Sequence, residues 1–456
     1  MADYIPHTED EVSSMLDFLG LETLGDLFAH VPAAVRLSQG LNLADGRSEP
    51  DVAVQFESYT SANVATTKNL VCFAGVGSYD HEVPAVVKML GSRSEFVTAY
   101  TPYQPEVAQG VLQAIFEYQT MIARLSGLPI ANASLYDAAT ALVEAVNMAV
   151  GSTRKNRILM SAGIHPHWRA TVATFARGTG HEIVTVPLVN GQTDWSTAPL
   201  DNVGAVVVGY PNYLGILEDI ASARAVANDR DALLIVGADP VAAGVLKTSG
   251  DWGADIFVGE GQPFGTPLAF GGPYLGLFAC TSDQIRRLPG RIVGETVDTE
   301  GRRAFVTTLR AREQDIRREK ATSNVCTNQT LMAVTAAIQM SWLGTEGLRE
   351  VATRCAQGAR YLYEALLEVP GVSAVSDAPF FREFAFRTTR PARELLADVA
   401  SRGFMAGVAA SDLCAPGDAS LPSADLDYVI VSTVTEKRTK VEIDALVAAI
   451  AKAVQS

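Results

Sequence analysis

The sequence predicts an α/β protein: a large domain with a mostly parallel sheet, followed by a small α+β domain and preceded by a helical arm. Between about residues 70 and 280, short runs that are apolar on both faces alternate with helix-length segments, which is typical of a parallel sheet covered on both sides. The last third mixes half-buried strand patterns with amphipathic helices. We therefore expect an arm at 1–65, a large domain at 66–325, and a linking helix with the small domain at 326–456.

The first residues predict two helices with no strand to cover. Thr8 and Glu11 have the spacing of a capping box, and apolar residues follow at helical intervals up to Leu19. A second, short helix is predicted from Thr23 to just before Pro32. We expect these helices to form an arm that packs on this chain or on a partner.

The large domain is predicted to alternate helices with buried strands. Pro105 suits the first turn of a helix that ends near Gly127, and Ser134 with Asp137 is predicted to cap an alanine-rich helix that runs through Val150. The predicted strands are Ile158–Met160, Ile183–Val186, Val203–Val208, Leu233–Val236, Asp255–Val258 and Leu275–Phe278. Such alternation favours a mostly parallel sheet.

The last third begins with a long apolar helix, predicted from Gln329 to Trp342. The pattern beyond it predicts two strands and two helices in alternation. These elements are Phe381–Phe386, Ala392–Ser401, Tyr428–Val431 and Val441–Val454. They favour a small α+β domain.

Charge and targeting signals exclude several classes of function. Of 456 residues, 36 are Lys or Arg and 51 are Asp or Glu, so the net charge of -15 argues against a broad surface for nucleic acid or anionic lipid. The first residues are neither basic nor apolar enough for a secretory signal. Two uncharged stretches, Gln262–Ser282 and Ala321–Thr345, contain too many glycines, prolines or polar residues to span a membrane.

The five cysteines are scattered, with no C-x-x-C pair, which argues against a disulfide framework and a structural zinc site. His165 and His167 form the only close histidine pair, and no acidic or cysteine ligand is near them in sequence. We expect no metal there, and we expect His165 to line a pocket at the carboxyl end of a strand. The predicted compartment is the cytoplasm.

Glycine-rich loops give little support for nucleotide binding. Gly75-Val-Gly77 lacks the third glycine of a dinucleotide fingerprint, and Gly259–Gly265 has the wrong spacing. We interpret both as tight turns. The segment Arg310–Lys320 carries five positive and three negative residues; it is either a solvated helix face with internal ion pairs or an element that faces an anion or a partner.

Four segments carry a resemblance to a known family. They resemble glycine dehydrogenase (decarboxylating), the P-protein of the glycine cleavage system. The resemblance covers nearly the whole chain, with the segments in the same order. The length fits the amino-terminal half of that enzyme, which some organisms make as a separate subunit 1. The segments are Phe73–Tyr79 (FAGVGSY), Tyr100–Gly110 (YTPYQPEVAQG), Asn132–Thr140 (NASLYDAAT) and Arg312–Asn324 (REQDIRREKATSN).

The resemblance implies the type I fold of pyridoxal-phosphate enzymes and raises a question about the cofactor. In the family, a lysine holds pyridoxal phosphate as an imine, and the cofactor stabilises the carbanion left when glycine loses CO2. The stretch similar to the family's lysine motif is Gly259–Pro273, which places Gln262 at the lysine position. The Gly237-Ala238 pair, similar to the one that follows the family's pyridine-nitrogen aspartate, is preceded by Val236, although Asp239 is close. We therefore expect this chain to keep the fold without the cofactor site.

The resemblance also implies partners. Type I active sites lie at a dimer interface, so this chain would pair with a lysine-bearing subunit 2 in an α2β2 heterotetramer that binds pyridoxal phosphate in subunit 2. The assembly would decarboxylate glycine, release CO2 and transfer the aminomethyl group to the lipoyl arm of H-protein. The residues expected to serve the partner's site in trans are Tyr100, Thr101, Tyr103, Gln104, Thr322, Ser323 and Asn324. Helix capping and loop fixing are the alternative roles for each.

Two other functions remain open at this point. The chain has eight lysines, at 68, 88, 155, 247, 320, 437, 440 and 452, so a displaced lysine in a stand-alone pyridoxal-phosphate lyase or aminotransferase is one alternative. A non-catalytic scaffold paralogue is the other. Labelling of a lysine of this chain would support the first alternative. Failure of subunit 2 to restore glycine-bicarbonate exchange would support the second.

Overall fold

A computed structural model describes residues 6–37, 41–64, 70–97, 102–199 and 201–455. The chain divides into two compact units, Met1–Val64 and Ala65–Ser456. The predicted division of the second unit near residue 325 stays a prediction. No helix in the described ranges combines the length and the apolarity needed to cross a bilayer.

The first unit contains the predicted amino-terminal helix and one that was not predicted. Helix α1 (Glu9–Leu19) begins with the predicted capping box, in which Thr8 N donates to Glu11 Oε2 at 2.7 Å. The second predicted helix is only a 3₁₀ turn, Leu24–Phe28. Helix α2 (Glu49–Ser61) begins at a Ser48 cap with proline in its first turn, and its weak apolar periodicity explains why the sequence did not reveal it.

The core of the second unit is a seven-stranded sheet in the order β1-β7-β6-β5-β4-β2-β3. Its strands are β1 (Ile130–Ala131), β2 (Arg157–Ser161), β3 (Glu182–Val186), β4 (Val203–Tyr210), β5 (Leu233–Ala238), β6 (Ile256–Glu260) and β7 (Gly276–Cys280). The five strands β2 to β6 all run parallel to one another. Strand β7 is antiparallel to both of its neighbours, β1 and β6. The predicted mostly parallel sheet is confirmed.

Both faces of this sheet are buried, which explains why its strands lack polar alternation. Along β4, Val207 packs in a core with Ile158, while Val206 and Val208 pack in a second core with Leu159 on the opposite face. Full burial of each such side chain contributes about 2 kcal/mol. The helices that accompany the sheet are α3 (Ala85–Gly91), α4 (Ser94–Val97), α5 (Gln109–Ser126), α6 (Ala138–Thr153), α7 (Pro166–Thr179) and α8 (Ile220–Asp229).

Two predicted helix starts are shifted. The Pro105 turn is a separate 3₁₀ segment, and α5 begins at Gln109 and ends where Gly127 takes the left-handed conformation at φ 71°. Helix α6 is capped by Asp137, whose Oδ1 accepts from Thr140 N at 2.8 Å, so the predicted Ser134 cap is wrong. Ser134 instead holds a distant segment, since its hydroxyl accepts from Gln329 N.

The charged segment after the sheet contains elements that the sequence did not predict. Strands β8 (Ile292–Val297) and β9 (Arg303–Thr308) form an antiparallel hairpin. A 3₁₀ turn, the one-turn helix α9 (Gln314–Arg317) and a second 3₁₀ turn follow. The long helix α10 (Thr330–Leu367) then far exceeds its predicted length, with a kink at Gly344, where φ is 60°.

The carboxyl-terminal elements form the predicted small α+β layer. Its sheet is antiparallel, in the order β10-β11-β13-β12. The strands are β10 (Val372–Ala374), β11 (Glu383–Thr388), β12 (Val408–Ala409) and β13 (Val429–Thr433), and the helices are α11 (Ala392–Ser401), α12 (Ala410–Leu413) and α13 (Lys440–Gln455). A core of Phe384, Phe386 and Ile430 packs this sheet against the helices.

Candidate functional site

A cleft lies at the carboxyl ends of the parallel strands, where open α/β sheets bind ligands. Residues after β2, β4 and β5 line it, and β11 of the small sheet closes it. Its lining includes Gly77, Tyr79, His165, Asn212, Asp239, Glu260, Arg382 and Glu383. The cleft therefore collects side chains that are far apart in the sequence.

The loop after residue 73 is fastened to the buried carboxylate of Glu383. Val76 N donates to Glu383 Oε1 at 2.6 Å, and the hydroxyl of Tyr79 donates to Glu383 Oε2 at 3.1 Å. A side chain at Gly75 would collide with Glu383 and Thr433, since an added Cβ would lie 2.5 Å and 2.0 Å from their oxygens. Burial raises the pKa of Glu383. Gly75 thus serves close packing, and the turn interpreted from the sequence has positive φ at Val76 and Gly77, 57° and 95°.

Gln262, at the position similar to the family's imine lysine, is fully buried and fully bonded. Its Oε1 accepts from Tyr79 N at 3.0 Å, and its Nε2 donates to Tyr79 O at 3.1 Å and to Thr266 O at 2.7 Å. The carboxamide therefore joins two loops beside the cleft. Because the oxygen and the nitrogen of this amide are both hydrogen-bonded, the side chain has a structural role here rather than a reactive one.

At the start of α6, beside the cleft, two carboxylates accept hydrogen bonds from backbone N–H groups. Glu260 Oε2 accepts from Ala138 N at 3.1 Å, and Asp137 caps the same end of α6. Glu260 Oε1 also accepts from Gln262 N and Leu275 N, at 3.0 and 2.9 Å. Burial raises the pKa of Glu260 to about 8, although these three hydrogen bonds oppose the shift. Two of the backbone donors that could bind a phosphate at this helix end, Ala138 N and Thr140 N, are therefore occupied.

His165 lines the cleft, as predicted, and is held in one orientation. Its Nδ1 accepts from His167 N at 3.1 Å at the start of α7, and its Nε2 donates to Val76 O at 3.0 Å. Its ring stacks on Trp168 with 5.9 Å between ring centroids. Removal from water lowers its pKa to about 4, so the imidazole is neutral at neutral pH.

Arg382 is the largest fully buried side chain of the described residues, with 1% of its surface exposed. Its Nε lies 2.6 Å from Asp239 Oδ2, its Nη1 bonds to His81 Nε2, and its guanidinium carbon lies 3.7 Å from the centre of the Tyr79 ring. Asp239 Oδ1 accepts from Val241 N at 2.9 Å. Both carboxylate oxygens of Asp239 therefore have partners.

No lysine of the described residues lines the cleft. Lys155 binds the carbonyls of Arg230 and Asp231, Lys437 pairs with Asp80, and Lys440 pairs with Asp444. Lys247 lies over the ring of Trp252, and Lys88, Lys320 and Lys452 are exposed. Lys68 lies outside the described residues.

A second constellation surrounds Tyr103, one of the residues predicted to act in trans. Arg291, 5% exposed, donates from Nη2 to the Tyr103 hydroxyl at 2.7 Å and to Cys326 O at 2.9 Å. The Arg291 guanidinium carbon lies 4.5 Å from the centre of the Tyr103 ring, and that of Arg310 lies 5.9 Å from it. The Nη1 of Arg291 is buried without a hydrogen-bond partner among the described residues. Tyr103 itself is 45% exposed.

Three of the four segments that carry the family resemblance reach Arg291 of this constellation: Tyr103 and Ala133 are bonded to it, and Glu313 Oε2 lies 3.9 Å from its Nε. Asn328 Nδ2 donates to Ala133 O at 2.9 Å and to the Ser134 hydroxyl at 3.0 Å, which ties the 132–140 segment to the chain after residue 324. Ala133 N donates to Arg291 O at 2.8 Å. The fourth segment, Phe73–Tyr79, reaches the cleft instead.

The other predicted in-trans residues differ in their settings. Gln104, Thr322 and Asn324 are exposed. Ser323 is partly buried, and its hydroxyl accepts from Val325 N at 3.1 Å. Tyr100 and Thr101 lie outside the described residues.

The basic segment 310–320 is neither a continuous helix face nor wholly solvated. Arg310 pairs with Asp315 at 3.0 Å at the surface, as the solvated interpretation predicts. Arg312 instead points inward and donates to Leu288 O, and its Nε and Nη2 are buried without a hydrogen-bond partner in the described part of the chain. Through Arg312 the segment therefore carries part of its positive charge below the surface.

Sequence reasoning missed Arg382, Glu383 and Arg291. The signal for the first two was a charged pair inside an otherwise apolar strand pattern, Phe381–Phe386, where burial demands partners. Arg291 follows Pro289-Gly290 and had no comparable signal.

One group of described residues could bring metal-ligand atoms together: His81, Cys355 and Glu436. His81 Nδ1 lies 2.6 Å from Glu436 Oε2, and Arg382 is bonded to His81 Nε2. Arginine can only donate hydrogen bonds, so His81 Nε2 accepts from Arg382. His81 Nδ1 then carries the hydrogen and donates it in the hydrogen bond to Glu436 Oε2. This tautomer leaves no lone pair on His81 for a metal.

The parallel sheet, the small antiparallel domain and the cleft between them define a protein of the type I fold of pyridoxal-phosphate enzymes. Solved structures with this fold include a NifS-like protein (TM-score 0.63, 13% identity, 84% of this chain and 98% of that chain) and a sphingosine-1-phosphate lyase of Burkholderia pseudomallei (TM-score 0.66, 16% identity, 93% of this chain and 94% of that chain). At those identities the likeness concerns the fold alone.

The chain belongs to the glycine cleavage system P-protein family, whose sequence model matches residues 2–450. It is 46% identical over 449 residues to the probable glycine dehydrogenase (decarboxylating) subunit 1 of Moorella thermoacetica, and 44% identical over 451 residues to that of Chlorobium chlorochromatii; each alignment covers 98% of both chains. A crystal structure of glycine decarboxylase (P-protein) in inhibitor-bound form matches with a TM-score of 0.90 and 44% identity, covering 99% of this chain and 100% of that chain.

The P-protein family depends on pyridoxal phosphate, and the residues of this cleft do not fit that cofactor. Gln262 offers an amide, which cannot form an imine, and its polar atoms already bond to Tyr79 and Thr266. The start of α6 offers carboxylates where a phosphate would need free donors. The Asp239 carboxylate is bound to Arg382 rather than free to face a ring nitrogen.

Proposed function

We propose that this chain is the subunit of a heteromeric glycine decarboxylase that does not bear pyridoxal phosphate. It pairs with a lysine-bearing subunit 2 in an α2β2 assembly. The assembly decarboxylates glycine, releases CO2 and transfers the aminomethyl group to the lipoyl arm of H-protein in the cytoplasm. When bound in the partner, pyridoxal phosphate supplies the electron sink for this decarboxylation.

The observation that carries this proposal is the poor fit between the cofactor and this chain's own cleft. A chain of a cofactor-dependent family that offers an amide in place of the amine needs a second chain to supply the amine. The names of the relatives, which are subunits numbered 1, support the same division of labour.

The Tyr103 constellation supports a role for this chain at the partner's site. A half-exposed phenol is held by a buried arginine, so its ring is oriented before any partner arrives. The guanidinium carbons of Arg291 and Arg310 lie 4.5 and 5.9 Å from the centre of its ring. Such a surface suits an anionic group, since guanidinium forks match carboxylate and phosphate.

In this proposal the chain's own residues bind and orient. Tyr103 and Gln104 present a hydroxyl and an amide from the loop before α5, and Thr322, Ser323 and Asn324 present further polar groups from the loop before α10. Tyr100 and Thr101, which precede Tyr103 in the sequence, are part of the same proposal. The partner's lysine-bearing site provides the chemistry.

Reconstitution tests the proposal directly. Exchange of the glycine carboxyl group with labelled bicarbonate is measured in the presence of lipoylated H-protein, for this chain alone, for subunit 2 alone and for both together. We expect exchange only for the mixture, with the two chains co-eluting in equal amounts on gel filtration. Exchange by this chain alone would indicate a stand-alone enzyme, and equal exchange by subunit 2 alone would indicate a scaffold.

A further inference from the structure

Tyr103 lies on a loop whose backbone and side chain are held by different residues. Gln109, the first residue of α5, binds the backbone: its Nε2 donates to Pro105 O at 2.7 Å and to Phe305 O of β9 at 2.9 Å. The Tyr103 side chain is 45% exposed, so packing covers it only in part. Its hydroxyl accepts from Arg291 Nη2 at 2.7 Å. The direction in which the phenol points therefore depends on Arg291.

Arg291 is a rigid support for this phenol because its backbone and its side chain are both fixed. Its carbonyl accepts from Ala133 N at 2.8 Å, and β8 begins at the next residue. The residue is 5% exposed, and Nη2 also donates to Cys326 O at 2.9 Å. Glu313 Oε2 lies 3.9 Å from Nε. The guanidinium is thus oriented by contacts other than the one with Tyr103.

The strand that follows Arg291 is anchored on α5, the helix that follows the Tyr103 loop. Gln119 of α5 is buried, and its Nε2 donates to Val293 O while its Oε1 accepts from Val293 N, both at 2.9 Å. The loop that carries Tyr103 and the strand that follows Arg291 therefore share one support, which keeps the distance between the two residues constant.

The guanidinium holds the ring of Tyr103 as well as its hydroxyl. Its central carbon lies 4.5 Å from the centre of the ring, inside the distance of about 6 Å at which an aromatic face attracts a cation. A planar guanidinium can make both contacts in one fixed geometry, whereas a lysine ammonium is a flexible point charge. Because Arg291 is buried, it acts through Tyr103 and does not itself reach a partner.

We propose that Arg291 is the positioning residue for Tyr103, and that it fixes the direction of the phenol that this chain presents to the partner's site. The inference rests on the proposed function, because Tyr103 has to reach that site for its direction to matter. A group that serves catalysis has to be held within about 0.5 Å of its productive position, and a displacement of about 1 Å costs about 100-fold in rate. Loss of the guanidinium therefore slows the reaction without removing a group that touches the substrate.

The first measurement needs only this chain. The purified full-length chain is labelled with 3-fluorotyrosine, and the ¹⁹F line of Tyr103 is assigned by its loss in Tyr103→Phe. We expect the wild-type line to lie away from that of free 3-fluorotyrosine, and Arg291→Lys to move it toward the free position. An unshifted line in folded Arg291→Lys would overturn the proposal. A wild-type line already at the free position would overturn it too, whether or not Arg291→Lys folds.

The second measurement is glycine-bicarbonate exchange by the complex with subunit 2, expressed per assembled complex so that weaker assembly is not counted. Arg291→Lys is expected to lower the rate about tenfold. The double variant with Tyr103→Phe is expected to exchange within about twofold of Tyr103→Phe alone, because the arginine acts through the hydroxyl. If Arg291 had only a structural role, the two losses would multiply, and that result would refute the inference.

The matched control is Arg224→Lys. Arg224 is also partly buried and donates to Gly253 O at 3.0 Å and to Asp255 Oδ2 at 2.7 Å, at the start of β6. We expect both the Tyr103 line and the exchange rate to stay at their wild-type values. A shift of the line equal to that in Arg291→Lys would count against the inference.

The two measurements separate this inference from the proposed function. Absence of exchange by the wild-type mixture would refute the proposed function, and the fluorine line would still show whether Arg291 orients Tyr103. Multiplied losses in an otherwise active complex would refute the positioning role alone.

Discussion

The carboxamide of Gln262 grips the backbone of Tyr79 from both sides, accepting from its N–H at 3.0 Å and donating to its carbonyl at 3.1 Å. This paired contact holds Tyr79, which lines the cleft, and it uses the side chain that the sequence resemblance places at the family's lysine position. At a position similar to that of the family's reactive lysine, Gln262 therefore has a structural role, which is to hold the backbone of Tyr79.

Replacing Gln262 with lysine is expected to destabilise the chain rather than create a cofactor site. The variant loses both contacts with Tyr79 and buries an ammonium group without an acidic partner, at a cost of about 3 kcal/mol. Denaturant unfolding followed by circular dichroism measures the change. The control is Gln113→Lys on the exposed face of α5, which should change the free energy of unfolding by less than about 0.5 kcal/mol. Equal stability of the two variants would show that the clamp contributes nothing.

The Glu144 carboxyl group, on α6, makes stability depend on pH near neutrality. Burial raises its pKa to about 7, with a hydrogen bond from Ser323 opposing the shift. Because the folded state holds this proton up to about pH 7 and the unfolded state releases it near 4.5, the stability contributed below pH 4.5 is lost as pH rises to 7. Glu144→Gln is expected to gain on the order of 2 kcal/mol over wild type between these limits. Glu368→Gln, at an exposed residue, should parallel the wild-type curve.

His165 gives the opposite dependence in acid. Removal from water holds its pKa at about 4, whereas the unfolded side chain binds a proton near 6.5. The stability it contributes is therefore present above pH 6.5 and is lost as pH falls toward 4. His165→Gln should unfold more easily than wild type at pH 7, and the gap should narrow by about 2 kcal/mol at pH 4. His30→Gln, at an exposed position, is the control; a constant gap for His165→Gln would contradict the assignment.

Removing the hydroxyl of Tyr103 separates a role at the partner's site from a role in folding. Tyr103→Phe loses the acceptor for Arg291, while Arg291 keeps its contact with Cys326 O, so the unfolding free energy should change by about 1 kcal/mol at most. Glycine-bicarbonate exchange by the complex with subunit 2 should fall about tenfold or more. Tyr428→Phe, at an exposed tyrosine of the small domain, should leave exchange unchanged. Full activity of Tyr103→Phe would remove this hydroxyl from the in-trans set.

The sequence predicted the parallel sheet well because its signal is local. Each of Ile158, Leu159 and Met160 is buried, so the run is apolar throughout, and the predicted strand differs from β2 only at its ends. The hairpin β8–β9 escaped detection because the residues of β8 after Gly294 are exposed, those of β9 are mostly half-buried, and charges such as Glu295 and Arg303 pair across the strands. Helix α2 was not predicted because its sequence lacks an apolar stripe at helical spacing.

The candidate site was harder to predict because its partners are distant in sequence. Gln262 and His165 could be singled out from motif and strand position. The pairing of Arg382 with Asp239, 143 positions earlier in the numbering, and of Glu383 with Val76 depends on how the small sheet closes over the large one. The shift of the α6 cap from Ser134 to Asp137 has a similar cause, since Ser134 is taken up by the distant Gln329.

The most direct test of the central claim, that this chain relies on the cofactor of its partner, is to find which chain's lysine holds that cofactor. The co-purified complex is incubated with pyridoxal phosphate, reduced with sodium borohydride to fix the cofactor on the lysine that holds it, digested and mapped by mass spectrometry. We predict a single modified lysine, in subunit 2, and no modified lysine in this chain. Stoichiometric modification of any of this chain's eight lysines would contradict the account.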